Sequence, residues 1–285
     1  MVAETPKEGE KVDYESKKRM IIYGPPGFGK TLSLATVDGP LHVIDFDRQL
    51  KSLVVRWEKL KRPKSDLHWV TIDDRKLPEV AFADAKEALF HVPRGYQYYA
   101  LDSYTKFGLI TTYHTCGVGD RKYNQSTGTD LMSYVTDYFY QVATEVEKLG
   151  AWLICIMHER WQEIDTGEVD PKAADAWRYK KTFIAPEVAS SARWMIPANC
   201  DFVFHIEKRK VFGKRTAMTS VFRTQGSEFI MAKAVGYEDV LKEVEDADIG
   251  AIVKKLKLPP SKATTRKATT LKFKPKFKPM KGQKP

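Results

Sequence analysis

The sequence has little cysteine. Cys116, Cys155 and Cys200 are three in 285 residues, an odd number without C-x-x-C spacing, which argues against a disulfide framework and against a cysteine zinc site. Cys155, inside an apolar run, reads as core. No run of eighteen apolar residues occurs, so no membrane-spanning helix and no membrane partner are expected. The start Met1-Val2-Ala3-Glu4-Thr5-Pro6 lacks the basic-then-apolar plan of a secretory signal, and a cytoplasmic location is expected. Internal repeats are absent too, which excludes a solenoid or propeller. Acidic residues are missing from one region only: Lys254 to Pro285 contains twelve Lys or Arg and no Asp or Glu. Subtracting those twelve from the net charge of +10 leaves residues 1–253 at −2. The basicity is therefore a property of the tail and not of the body.

Charge and pattern divide the chain into a loose polar lead-in (1–17), one α/β core (18–253) and a Lys-rich tail (254–285). Low aliphatic content and like charges predict that the tail is disordered. Its Phe273 and Phe277, interleaved with lysines, suit stacking on unpaired bases while the lysines follow phosphates. An acidic peptide on a partner protein would satisfy the same residues, and a solvated tail that aids solubility would need neither.

What the sequence does have is Tyr23-Gly24-Pro25-Pro26-Gly27-Phe28-Gly29-Lys30-Thr31, which meets every position of G-x-x-x-x-G-K-[ST]. A backbone that wraps a polyphosphate with its N–H groups turned inward needs glycine where φ is positive or a side chain would collide. Gly24, Gly27 and Gly29 meet that need. Lys30 is placed to reach the β- and γ-phosphates and Thr31 to offer its hydroxyl to Mg²⁺, with Pro25, Pro26, Phe28 and Leu32 completing the binding segment. An apolar strand, Lys18 to Tyr23, enters the loop, and a helix from Thr31 leaves it.

Further strands are predicted at Leu41–Asp47, Leu67–Asp73, Tyr98–Ser103, Ala151–Met157 and Asp201–Ile206, with helices at Arg48–Arg62, Pro78–Phe90, Asp130–Leu149 and Tyr237–Leu256. A mostly parallel sheet follows, with helices on its faces. Thr111–Thr129 and Arg160–Ile196 show no period and are expected to be long loops. The second mixes Trp161, Trp177, Arg178, Lys180, Lys181 and Arg193, which suits a single nucleic-acid strand, although such aromatics also pack loops onto cores. Lys208–Arg215 reads as a basic turn, and Thr216–Arg223 with Glu228–Lys233 as a C-terminal β-hairpin about Thr224–Ser227. Asp102, at the end of four mostly apolar residues, reads as a Mg²⁺-supporting acid of the kind phosphate-loop enzymes place there; the alternative is an N-cap for a helix from Ser103 onward. His158-Glu159 is no zinc-protease signature, because position 162 is Gln.

Strand, phosphate loop, helix, acid-tipped strand, Asp102 strand, His-tipped strand and terminal hairpin resemble the RecA-type ATPase core. Val43-Ile44-Asp45-Phe46-Asp47 resembles that family's I-D-x-E, whose second acid polarises the attacking water; the resemblance implies that role for Asp47, one methylene shorter than Glu. Asp102-Ser103 is similar to the family's Walker B, without the adjacent Glu of ring-forming AAA+ enzymes. His158 stands where the family carries its γ-phosphate sensor. Ile230 to Gly236 looks like the finger strand of the DnaB-like branch, with Lys233 matching and Val235 not; Arg223 is the substitute for the missing trans-acting arginine.

The compact chain, over roughly residues 18–240, most resembles bacteriophage nucleotide-binding proteins of the single-strand annealing type. That resemblance implies ATP and Mg²⁺ as cofactors, single-stranded DNA as partner, a homo-oligomeric ring or filament, and a single-strand-binding protein engaged by the basic tail. For a phage-encoded chain the location is the host cytoplasm. It implies recombination by annealing or strand pairing. A helicase or helicase-loader motor and a nucleotide-gated binding module without turnover are the alternatives, whereas a small-molecule kinase fits poorly because no lid with paired arginines is evident.

Overall fold

Four short runs of β-branched and aromatic residues are buried at every position, and these make the centre of the molecule. In the computed structural model, which describes residues 17–116, 125–169, 178–188, 192–211 and 217–256, they are β1 (Arg19–Gly24), β2 (Leu41–Asp45), β4 (Tyr98–Asp102) and the first third of β5 (Trp152–Val169). Strands buried on both faces read as continuous apolar runs because both layers of helices cover them.

The elements run in the order β1, α1 (Lys30–Ser33, continued as a 3₁₀ turn to Thr36), β2, α2 (Lys51–Lys59), β3 (Leu67–Thr71), α3 (Pro78–Phe90), β4, α4 (Tyr104–Cys116), α5 (Gln125–Lys148), β5, β6 (Arg178–Pro186), α6 (Ala192–Ala198), β7 (Phe202–Lys210), β8 (Met218–Arg223), β9 (Lys233–Ala234), β10 (Val244–Asp246) and α7 (Ile249–Leu256). The sheet order is β10-β8-β7-β1-β5-β4-β2-β3. Its centre, β7 to β3, is parallel throughout, and the β7–β8–β10 end is antiparallel. This is the α/β core of a P-loop NTPase. On one face Phe82, Phe107 and Phe139 of α3, α4 and α5 pack over Tyr99, Leu101 and Leu153. On the other, Leu53 and Trp57 of α2 join Ile252 and Val253 of α7 over Ile22, Val43 and Ile154.

Parallel register places the strand ends together. Gly24 pairs with His158, and Asp45 with Asp102. One rim of the sheet therefore carries the phosphate loop, the turn holding Asp47, Asp102 and His158, where open α/β sheets take their ligands.

Four expectations are corrected. Thr111–Thr129 is not a loop along its length: Thr111–Cys116 finish α4 and Gln125–Thr129 begin α5, with 117–124 outside the described residues. The hydroxyls of Thr111, Thr112 and Thr115 donate to the carbonyls four residues earlier, at 2.9, 2.8 and 2.6 Å, so polar residues sit in the helix without competing for its backbone. Arg160–Ile196 is largely an antiparallel hairpin of β5 with β6, followed by α6, which itself begins at Ala192; residues 170–177 and 189–191 lie outside the described residues. The expected hairpin about Thr224–Ser227 does not form. β8 pairs with β7 instead, with His205 opposite Arg223, and β9 pairs with the first residues of β7, Phe202 and Val203, on the edge away from β1, so the hairpin is β7–β8. Tyr237–Leu256 is helical only from Ile249; Val244–Asp246 form an edge strand on β8. Lys254 and Lys255, grouped with the tail by charge, form the last turn of α7, while residues 1–16 and 257–285 lie outside the described residues, and so does 212–216 of the basic turn.

Candidate functional site

The loop between β1 and α1 takes its shape from two contacts that leave no room for a side chain. A Cβ on Gly24 would stand 2.7 Å from Ile206 Cγ2 and 2.9 Å from the Ile206 carbonyl oxygen of β7. Gly29, with φ 96°, caps α1 in the left-handed region, where L side chains are disfavoured. From the far side of the sheet, Ser220 of β8 donates to the Phe28 carbonyl at 2.7 Å, and Lys208 of β7 stands 5.1 Å from the Phe28 ring centroid. The loop is thus braced by strands that follow it by nearly two hundred residues.

Lys30 is buried, and its ammonium donates to the carbonyls of Gly24 and Pro25 at 2.7 and 2.9 Å. Burial pulls its pKa down from the usual lysine range, while Asp102, Glu159 and Asp47 oppose that shift. Thr31 Oγ1 donates to Asp102 Oδ2 at 2.7 Å. Asp102 is 4% exposed. Burial raises its pKa to about 7; the Thr31 hydrogen bond opposes that rise, and the neighbouring charges of Asp47 and Asp45 add to it. A hydroxyl and a carboxylate side by side at the start of α1 are hard oxygen donors, the set that magnesium accepts alongside its own waters.

Across a cleft of about 320 Å³ from these three, Asp47 and His158 form the outer wall, with His158 Nε2 3.6 Å from Asp47 Oδ2. Pro26, Gly27, Gly29, Leu32 and Ser103 border the same cleft, as do Gln49 and Ser52, which sequence reasoning did not single out. His158 is held through its backbone: its N–H donates to Thr105 Oγ1 at 3.0 Å, and its carbonyl accepts from Glu187 N at 2.8 Å. So the structure brings together Lys30, Thr31, Asp102, Asp47 and His158, from four separate segments.

It does not bring the two finger residues there. Arg223 pairs with Glu207 at 2.6 Å and Glu243 at 2.7 Å within its own chain. Lys233 Nζ is 3.3 Å from the Ala198 carbonyl. Glu159, noticed in sequence only beside His158, is part of a partly buried row: its carboxylate is 2.9 Å from Nε2 of the buried His205, whose Nδ1 faces Glu207 Oε1 at 3.6 Å. The strand pattern carries a signal for this row, since His205, Glu207 and Arg223 fall on successive inward positions of β7 and β8.

No helix among the described residues is long and apolar enough to cross a membrane. A family model described as an AAA domain matches residues 16–234. No curated protein matches the chain.

Proposed function

The chain belongs to the AAA domain family and is by class a nucleotide-binding P-loop ATPase, and from that premise we propose that it hydrolyses ATP with magnesium while bound to single-stranded DNA, in a RecA-type manner. The observation that carries the hydrolytic reading is the placement of Asp47 and His158, 3.6 Å apart, facing Lys30, Thr31 and Asp102 across one cleft. Lys30 supplies a charge for the β- and γ-phosphates, and the loop amides wrap them. Thr31 and Asp102 would hold magnesium, which spreads the charge that develops on the transferring phosphoryl group. Asp47 orients a water and accepts its proton, while His158, with a nitrogen that can donate, reports the γ-phosphate to the backbone it is tied to at Thr105 and Glu187.

The strand of DNA is read onto the hairpin that grows out of His158. Past the cleft, β5 leaves the core and pairs only with β6, carrying Arg160 and Trp161, the latter 65% exposed; β6 carries Arg178, Lys180 and Lys181. The exposed Arg160 and Trp161, on a ribbon whose second strand is rich in Lys and Arg, support base stacking with phosphate tracking. The proposal extends to annealing or strand pairing by a ring or filament of copies. Arg223 spends its donors inside its own chain, which favours Lys233 as the group that reaches a neighbour's nucleotide. The Lys-rich tail is assigned to a single-strand-binding partner or to DNA.

The test is ATP turnover by the purified chain with and without a single-stranded oligonucleotide, beside Lys30→Ala. Turnover that rises with the strand and disappears in the variant is expected. Failure to bind ATP, or turnover unchanged in Lys30→Ala, overturns the hydrolytic reading. A strand that neither binds nor alters turnover overturns the DNA reading, and duplex unwinding in the same preparation replaces annealing by a translocating motor.

A further inference from the structure

Asp47 lies in a turn that its own sequence does not favour. Arg48 has φ 56°, in the left-handed region where a residue with a Cβ is uncommon. Inside the turn the Asp45 carboxylate takes backbone N–H groups of Asp47, Arg48 and Gln49, the last at a long 3.4 Å. A second hold comes from outside. Arg48 Nη1 stands 3.3 Å from Asp73 Oδ1 and 3.6 Å from Asp74 Oδ1, in the loop after β3. Asp74 Oδ2 in turn takes Lys106 Nζ at 2.7 Å from the first turn of α4, and this hydrogen bond is the main reason the Asp74 carboxyl lies below its usual range.

A single ion pair of such exposure holds little. Here, however, one carboxylate joins a cation from the β2–α2 turn to a cation from the helix that follows Asp102. Three segments are thereby fixed against one another around Asp47. Lys106 also borders a second cleft of about 410 Å³ that adjoins the nucleotide cleft and shares Asp47 and His158 with it, so the junction lies within reach of the reacting side of the site.

We infer that Asp74 is a positioning residue: through Arg48 and Lys106 it holds the 46–49 turn in its left-handed conformation and so sets where Asp47 meets the attacking water. The inference rests on the proposed role of Asp47. Asp74 touches neither nucleotide loop nor metal donors, so its loss acts on chemistry and not on binding.

The experiment compares Asp74→Asn, Asp74→Glu and Asp74→Asn with an added Arg48→Gly, by kcat, nucleotide Kd and amide exchange at residues 46–49. Asp74→Asn is expected to lower kcat about tenfold, the scale of a displaced catalytic group, with Kd unchanged and faster exchange at 46–49. Asp74→Glu keeps most of the turnover. Adding Arg48→Gly restores it, because glycine takes the left-handed conformation unaided. An unchanged kcat in Asp74→Asn, equal loss of kcat and affinity, or no rescue by glycine overturns the latch. If the wild-type protein shows no turnover, the hydrolytic reading fails and exchange decides the latch alone: faster exchange at 46–49 in Asp74→Asn supports it, and unchanged exchange overturns it.

Discussion

At the inner wall of the nucleotide cleft Lys30 and Asp102 are buried and every polar atom named there has a short partner; at the outer wall His158 and Asp47 keep 33% and 20% of their side chains exposed and stand 3.6 Å apart. The inner groups are fixed by the covalent proximity of the loop and by hydrogen bonds in a poorly solvated place, where each bond is stronger and each unpaired group more expensive. The outer groups depend on a turn and on ion pairs that water screens. On the proposed reading, holding a phosphate and attacking one fall to differently built halves, one braced by buried hydrogen bonds and the other by partly exposed ion pairs.

The largest effect should come from the outer wall. Asp47→Asn is expected to lower ATP turnover by about 10²–10⁴-fold, the usual share of a positioned base, with nucleotide affinity kept; a matching loss of affinity in a binding titration would erase the distinction between the walls. Next, Lys30→Ala should weaken nucleotide binding by about 10²-fold, since a charge-assisted contact in a buried site is lost. If the variant bound ATP normally and only turned over slowly, the inner wall would have to be counted with the chemistry.

A third experiment asks whether burial alone sets ionisation, away from the cleft. His42, on β2, is buried, and its Nδ1 lies 2.8 Å from His68 Nδ1; burial first and His68 second lower its pKa from 6.5 to about 4. In the unfolded chain this imidazole takes a proton near pH 6.5 and in the fold only near pH 4. Stability should therefore fall as pH drops from about 6.5 to 4, by something on the order of 3 kcal/mol, and level off below. Urea midpoints across that window, with His42→Asn as the control that flattens the slope, check it. The smallest effect is on the hairpin: Trp161→Ala should reduce affinity for a single strand by about tenfold, the loss of one stacked base, and leave nucleotide binding untouched, as measured by fluorescence anisotropy of a labelled oligonucleotide.

The inner wall was legible in sequence and the outer wall only half so. Gly24 to Thr31 can be read from spacing because the loop's demands are local: glycine where a Cβ would strike Ile206, lysine and threonine at the start of a helix. β1, β2, β4 and the first part of β5 were also legible, since burial on both faces selects unbroken apolar runs. The hairpin of β5 and β6 was not. Beyond His158 the run Glu159-Arg160-Trp161-Gln162-Glu163 has no apolar face, because here β5 has left the parallel sheet and pairs with β6. The order of strands beyond β7 was hidden for another reason. β8 and β9 both choose β7, β9 across thirty residues or more, whereas the local signal at Thr224–Ser227 is only a turn. Arg48 and Asp74 carried no signal, since nothing in their neighbourhood announces that a left-handed turn and a loop after the next strand will meet.

The bonds that brace the phosphate loop also set a schedule. Ser220 reaches back 192 residues to Phe28, Tyr23 forward 208 to the Met231 carbonyl, and Ile249 back 213 to the Thr36 hydroxyl. A ribosome adding about 5–20 residues per second delivers the glycine-rich motif roughly ten to forty seconds before the strands that hold it. During that interval the nascent chain carries the motif without the site. The bracing of the loop waits for β8, so a chain interrupted before residue 220 would leave the ribosome with its most recognisable segment complete and its binding loop unsupported.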